Sequence, residues 1–171
     1  MKKIHIFMLG SLFALSSCSE RLRHSEPNKN SPGSGDEPAQ SKAMLLGEMN
    51  IPRHVSLTDS IGLTFTVYNS SQKKTSFCIW HTPFEKPMSK YLNIVDDNNR
   101  EIPYNGVMAK RIMPPPPSAY VSLKGGSSRS VTINLLRSYG IDKPGKYTVR
   151  YNSSSISGIE VRDSVSFMVL K

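Results

Sequence analysis

The sequence is poor in the features that mark most chemistry. Two cysteines among 171 residues cannot staple a disulfide-rich mini-protein. No histidine is followed by glutamate, so the paired-histidine zinc-protease motif is missing. Gly-x-Ser-x-Gly is missing too, and no phosphate-cradling glycine loop precedes a helix. The formal net charge is +9, yet no block of five basic residues occurs, which argues against a nucleic-acid partner. No stretch holds a 3.6-residue apolar period for three turns, which excludes a helical bundle. No apolar run reaches the ~20 residues of a spanning helix. Twelve prolines and eleven glycines are too few for a wholly disordered chain.

What is present begins with an address. Lys2 and Lys3 precede an apolar run from Ile4 to Leu15, which fits an export signal. The run ends in Leu15-Ser16-Ser17-Cys18. This resembles the lipobox of bacterial lipoproteins. Small side chains let a peptidase reach the backbone, and a thiol is needed for the thioether to diacylglycerol. The expectation is a signal peptide over 1–17, lipidation at Cys18, and attachment to the bacterial cell envelope. Ser19 favours the outer over the inner membrane. Cys78 is then left alone. It sits in the apolar run Ser76-Phe77-Cys78-Ile79-Trp80, where a thiol is expected to be buried and inert.

Residues 18–43 read as a disordered tether. They hold Pro27, Pro32, Pro38 and one large apolar residue, Leu22, too little to offset chain entropy. A chain of this length reaches about 25–30 Å. Its four acidic residues balance its four basic ones, and removing Lys2 and Lys3 lowers +9 to +7. The whole +7 therefore falls on residues 44–171.

There, apolar residues recur with period 2. Leu63, Phe65 and Val67 alternate with polar neighbours. So do Val131, Ile133 and Leu135, then Tyr147, Val149 and Tyr151, then Val165, Phe167 and Val169. Alternation predicts strands with one buried and one solvated face. Leu92, Ile94 and Val95 run into an Asp96-Asp97-Asn98-Asn99 turn. The pattern predicts an all-β domain, an immunoglobulin-like β-sandwich of about seven to nine antiparallel strands. A β-barrel is the alternative. Phe77 to Trp80 reads as a central strand, Trp80 as its core tryptophan, and Tyr147 as a tyrosine corner.

The segment from Trp80 to Tyr151 carries Thr82-Pro83-Phe84-Glu85, a Tyr104-x-Gly106-x-x-x-Lys110-Arg111 element, and the strand Gly145-Lys146-Tyr147-Thr148-Val149-Arg150-Tyr151. It resembles the non-catalytic N-terminal domain of deuterolysin-type peptidyl-Lys metalloendopeptidases. The zinc-binding motif of their protease domain is missing. The resemblance implies a fold and a binding habit, not proteolysis, and the expected role is non-enzymatic.

Candidate ligand sets are thin. His24, His54, His81, Cys18 and Cys78 have no short metal-ligand spacing, so neither metal nor cofactor is expected. His81 with a distant serine and acid is a catalytic candidate, set against the ordinary structural role of a lone loop histidine. Asp96 and Asp97 are adjacent, so their side chains diverge rather than pair. Two loops remain as partner-binding candidates: Trp80 to Met88, with Trp80, His81 and Phe84, and Met108 to Ser118, with Lys110, Arg111 and four consecutive prolines. Rigid polyproline and aromatic, Met and Arg anchors suit an interface. The expected partner is a protein, with a secreted peptidyl-Lys metalloprotease as one form of it. An adhesive or structural envelope protein that binds glycan is the alternative.

Overall fold

The computed structural model describes residues 45–171. The signal segment, Cys18 and the tether lie outside the described residues. The remainder is an all-β sandwich. One sheet has the order β7-β3-β1-β9, made from β7 (Ser128–Asn134), β3 (Gly62–Asn69), β1 (Leu45–Asn50) and β9 (Ile159–Glu160). The other has the order β2-β10-β8-β5, from β2 (His54–Ser56), β10 (Val165–Leu170), β8 (Gly145–Tyr151) and β5 (Leu92–Asp96). A third, two-stranded ladder pairs β4 (Thr75–Cys78) with β6 (Tyr120–Leu123).

The period-2 pattern sets the core. Leu63, Phe65 and Val67 face inward from the first sheet. Leu92, Ile94, Tyr147, Val149, Phe167 and Val169 meet them from the second. All are almost fully removed from water, and burial of such side chains stabilises by roughly 1.5–3 kcal/mol each. The Tyr147 hydroxyl donates to the Lys143 carbonyl four residues upstream (2.8 Å), the bond that defines a tyrosine corner. Asp96 closes its turn as expected. Its Oδ1 accepts from the backbone N–H of Asn98 and of Arg100, both at 2.9 Å. Those amide bonds, with the Arg100 guanidinium, hold its pKa below the usual value.

Three expectations change. First, the strands are not all antiparallel: β1 pairs with β9, and β10 with β2, in parallel. Ile51, Pro52 and Arg53 explain one of these. Proline interrupts ladder pairing, and the chain crosses from the first sheet to the second, where the amide of Met168 donates to the Arg53 carbonyl (2.8 Å). Second, Phe77 and Cys78 do not lie in a central strand. β4 and β6 continue the β3–β7 pairing beyond a corner at residues 69–74 and 124–127. Third, Trp80 is not the core tryptophan. It follows β4 in a turn and is only half-buried. Phe65 and Phe77 fill the interior instead.

The corner is held by one buried side chain. Asn69 Nδ2 donates to the carbonyls of Lys73, Leu123 and Lys124 (2.8, 3.1 and 3.2 Å). Its Oδ1 accepts from the Ser71 amide and hydroxyl (3.1 and 2.7 Å). A short polar side chain can close such a turn and satisfy its orphan backbone groups. Cys78 is buried, as expected, and burial pushes its thiol pKa up.

Candidate functional site

The two candidate loops meet. The first leaves β4 through Ile79 and Trp80 and turns sharply at His81, whose φ of 57° is left-handed. A non-glycine residue there costs about 1–3 kcal/mol, and neighbouring bonds offset it. The His81 amide donates to Glu85 Oε1 (2.8 Å). The Tyr151 hydroxyl donates to the His81 carbonyl (3.0 Å). Thr82, fully buried, donates to the Ile79 carbonyl (2.6 Å) and accepts from the Phe84 amide (3.1 Å).

Glu85 is the hub. Its Oε1 also accepts from the Ser89 hydroxyl (3.1 Å). Its Oε2 accepts from Arg111 Nη2 of the second loop (2.5 Å). The two side chains are 6% and 21% exposed, so the pair is mostly withdrawn from water. The Arg111 guanidinium lies 4.7 Å from the centre of the Trp80 ring, a cation–π contact that strengthens as water is excluded. A backbone bond from Ala109 to the Met88 carbonyl (2.8 Å) joins the loops a second time.

The second loop is braced at its base. The Tyr104 ring packs edge-on against Tyr139, with centroids 5.2 Å apart. The Tyr104 hydroxyl donates to the Val107 carbonyl (3.0 Å), and the Asn105 amide donates to the Ser138 carbonyl (2.8 Å). Any Cβ at position 106 would collide with the Tyr104 ring, which explains the Tyr-x-Gly spacing. Beyond this brace the loop turns its apolar groups outward. Val107 is 61% exposed, Met108 68%, Ile112 84% and Met113 65%. Lys110 is exposed among them. Four large apolar side chains stand in solvent within seven residues, whereas single exposed ones scattered over a surface are ordinary.

The sequence-predicted residues therefore divide. Trp80 and Arg111 touch, and His81 joins them through Glu85. Lys110 projects beside the exposed apolar group. Phe84 turns inward, 5.2 Å from Phe77 and 6.1 Å from Phe65 by ring centroids, with Arg129 stacked 5.8 Å above its ring. Its place is in the support beneath the loops rather than among the exposed residues. The sequence reading missed Glu85 as a hub, and Val107, Met108, Ile112 and Met113 as the exposed set. One signal for Glu85 was present: it is the sole acidic residue between Asp59 and Asp96.

Among the described residues, no group of three His, Cys, Asp or Glu side chains could hold a metal ion. None of the helices among them is long and apolar enough to cross a membrane. No family model matches the sequence, and no curated protein matches it. Two solved structures show a distant likeness, both β-glucosidases from Listeria innocua. One is a mutant in complex with laminaribiose, with TM-score 0.36 and 16% identity over 74% of this chain. The other is a complex with isofagomine, with TM-score 0.37 and 15% identity over 75% of this chain. The match covers 16% of each of those chains.

Proposed function

We propose that the chain is a non-catalytic, lipid-anchored protein of the bacterial cell envelope whose domain binds another protein through the 105–118 loop. The observation that carries this reading is the exposed set Val107, Met108, Ile112 and Met113, displayed on a loop fixed by Arg111, Glu85 and Tyr104. A fixed loop loses little entropy on docking, so its apolar contacts count fully towards affinity. The lipobox resemblance of Leu15 to Cys18 supports the anchor. The resemblance of Trp80 to Tyr151 to the domain that accompanies peptidyl-Lys metalloendopeptidases supports a secreted metalloprotease as the partner, with this chain as inhibitor or propeptide-like factor.

The test is titration of the full chain, in detergent, against a peptidyl-Lys metalloendopeptidase. The expected result is a complex and altered proteolysis, both weakened about tenfold or more by Ile112→Ser with Met113→Ser. Absence of both binding and any effect on proteolysis removes the protease partner. Retention of wall polysaccharide by wild type and double variant alike would instead support a glycan-binding envelope protein.

A further inference from the structure

A second surface lies on the edge of the first sheet. Among the described residues, β7 is terminal in its sheet and pairs only with β3. Its inward side chains show what is missing. Phe65 and Leu63 of β3 are fully buried, but their register partners Val131 and Ile133 are only half-buried. A strand on the far side of β7 would cover them. A cleft of 410 Å³ opens at the C-terminal end of this edge, lined by Thr132, Ile133, Pro87, Tyr91, Tyr139 and Arg137 among others. It reaches residues on both faces of β7, as the end of an open edge does.

Charge then selects the occupant. Arg129 near the start of β7 and Arg137 just beyond its end are exposed. Among the described residues, neither has a carboxylate within ion-pair distance. β7 itself, Ser-Arg-Ser-Val-Thr-Ile-Asn, has no acidic residue, so a second copy pairing edge to edge offers these cations nothing. The chain's own residues 18–43 carry as many basic as acidic residues and one large apolar side chain, so they neither answer these cations nor fill an apolar seam.

We infer that the β7 edge binds an extended segment of another protein by strand addition, and that this segment has alternating apolar residues and acidic ends. Main-chain bonds to β7 supply affinity. Apolar side chains cover Val131 and Ile133 and enter the cleft. The acidic ends sit by Arg129 and Arg137. This surface is distinct from the 105–118 loop and stands whether or not that loop binds a protein.

The probe is the peptide acetyl-Glu-Thr-Val-Thr-Ile-Thr-Glu-amide, whose two Glu share a strand face with its Val and Ile as Arg129 does with Val131 and Ile133; it is added to the full chain in detergent, with hydrogen exchange read at the β7 amides. We expect slowed exchange over Ser128–Asn134 and binding at least tenfold weaker when both Glu become Lys. Arg137→Glu, an exposed change that leaves the core untouched, should narrow or reverse that preference. Exchange at β7 unchanged up to about 1 mM peptide overturns the proposal. So does undiminished binding of both of two peptides, one N-methylated at the odd and one at the even residues, because strand addition requires one of those two sets of N–H groups. A peptide-independent dimer protecting the same amides also overturns it, in favour of self-association.

Discussion

Glu85 and Arg111, from different loops, meet at 2.5 Å with the carboxylate almost wholly buried. Removing one partner strands the other charge. Arg111→Ala and Glu85→Ala are each expected to destabilise by about 3–5 kcal/mol, with less than the sum for the double variant. Urea unfolding of the three variants measures this. Additive losses would show that the pair does not act as a unit.

The corner at Asn69 gives a sharper substitution. Asn69→Asp keeps the shape but replaces a donor by a carboxylate, facing the carbonyls of Lys73, Leu123 and Lys124. It should destabilise more than Asn69→Ala, for which about 1–3 kcal/mol is expected from unsatisfied buried groups. Thermal melts of both variants give the order. A milder aspartate would mean that the three donor bonds are not what holds the corner.

Gly106→Ala tests the loop base. The added methyl must displace the Tyr104 ring, and overpacking of this kind costs about 1–3 kcal/mol. Because the collision is local, the expected outcome is a modest fall in melting temperature with a clear change in amide shifts over 104–113. Wild-type shifts in that loop would rule out the brace.

Alkaline pH should unfold the domain. Burial raises the phenol pKa values of Tyr91, Tyr139 and Tyr151 well above the ordinary value. Their folded pKa exceeds the unfolded one, so their neutral forms are retained by folding. The stability they contribute is complete below about pH 10 and is lost as pH rises through the folded values. Tyrosinate absorbance followed against pH should show these three ionising together with loss of tertiary signal. Reversible ionisation near pH 10 with the fold intact would contradict it.

Much of the architecture was legible in the sequence because strand alternation is local physics. Leu63-Phe65-Val67 and Tyr147-Val149 declare their buried face within five residues, and the Asp96 turn and Tyr147 corner follow from short-range chemistry. Trp80 misled because an apolar run says nothing of where its strand stops, and a sharp turn at His81 removes the tryptophan from the core. The candidate site was half legible. Trp80 and Arg111 were chosen for their side-chain type, but their meeting depends on Glu85 and on loops that approach only in the folded molecule. Outward Ile112 and Met113 were hidden because periodicity reports burial in strands, not in loops.

The path of β1 has a mechanical meaning. At Leu45 this strand is bonded on both sides at once, to Asn69 of β3 and Ile159 of β9. A pull applied from the N-terminal side along the strand axis therefore loads both ladders in shear, so that many bonds must fail together rather than one by one. The two flanking strands make this first strand the domain's strain relief, and a load reaching it along that axis is shared across the sheet before any part of the core is asked to open.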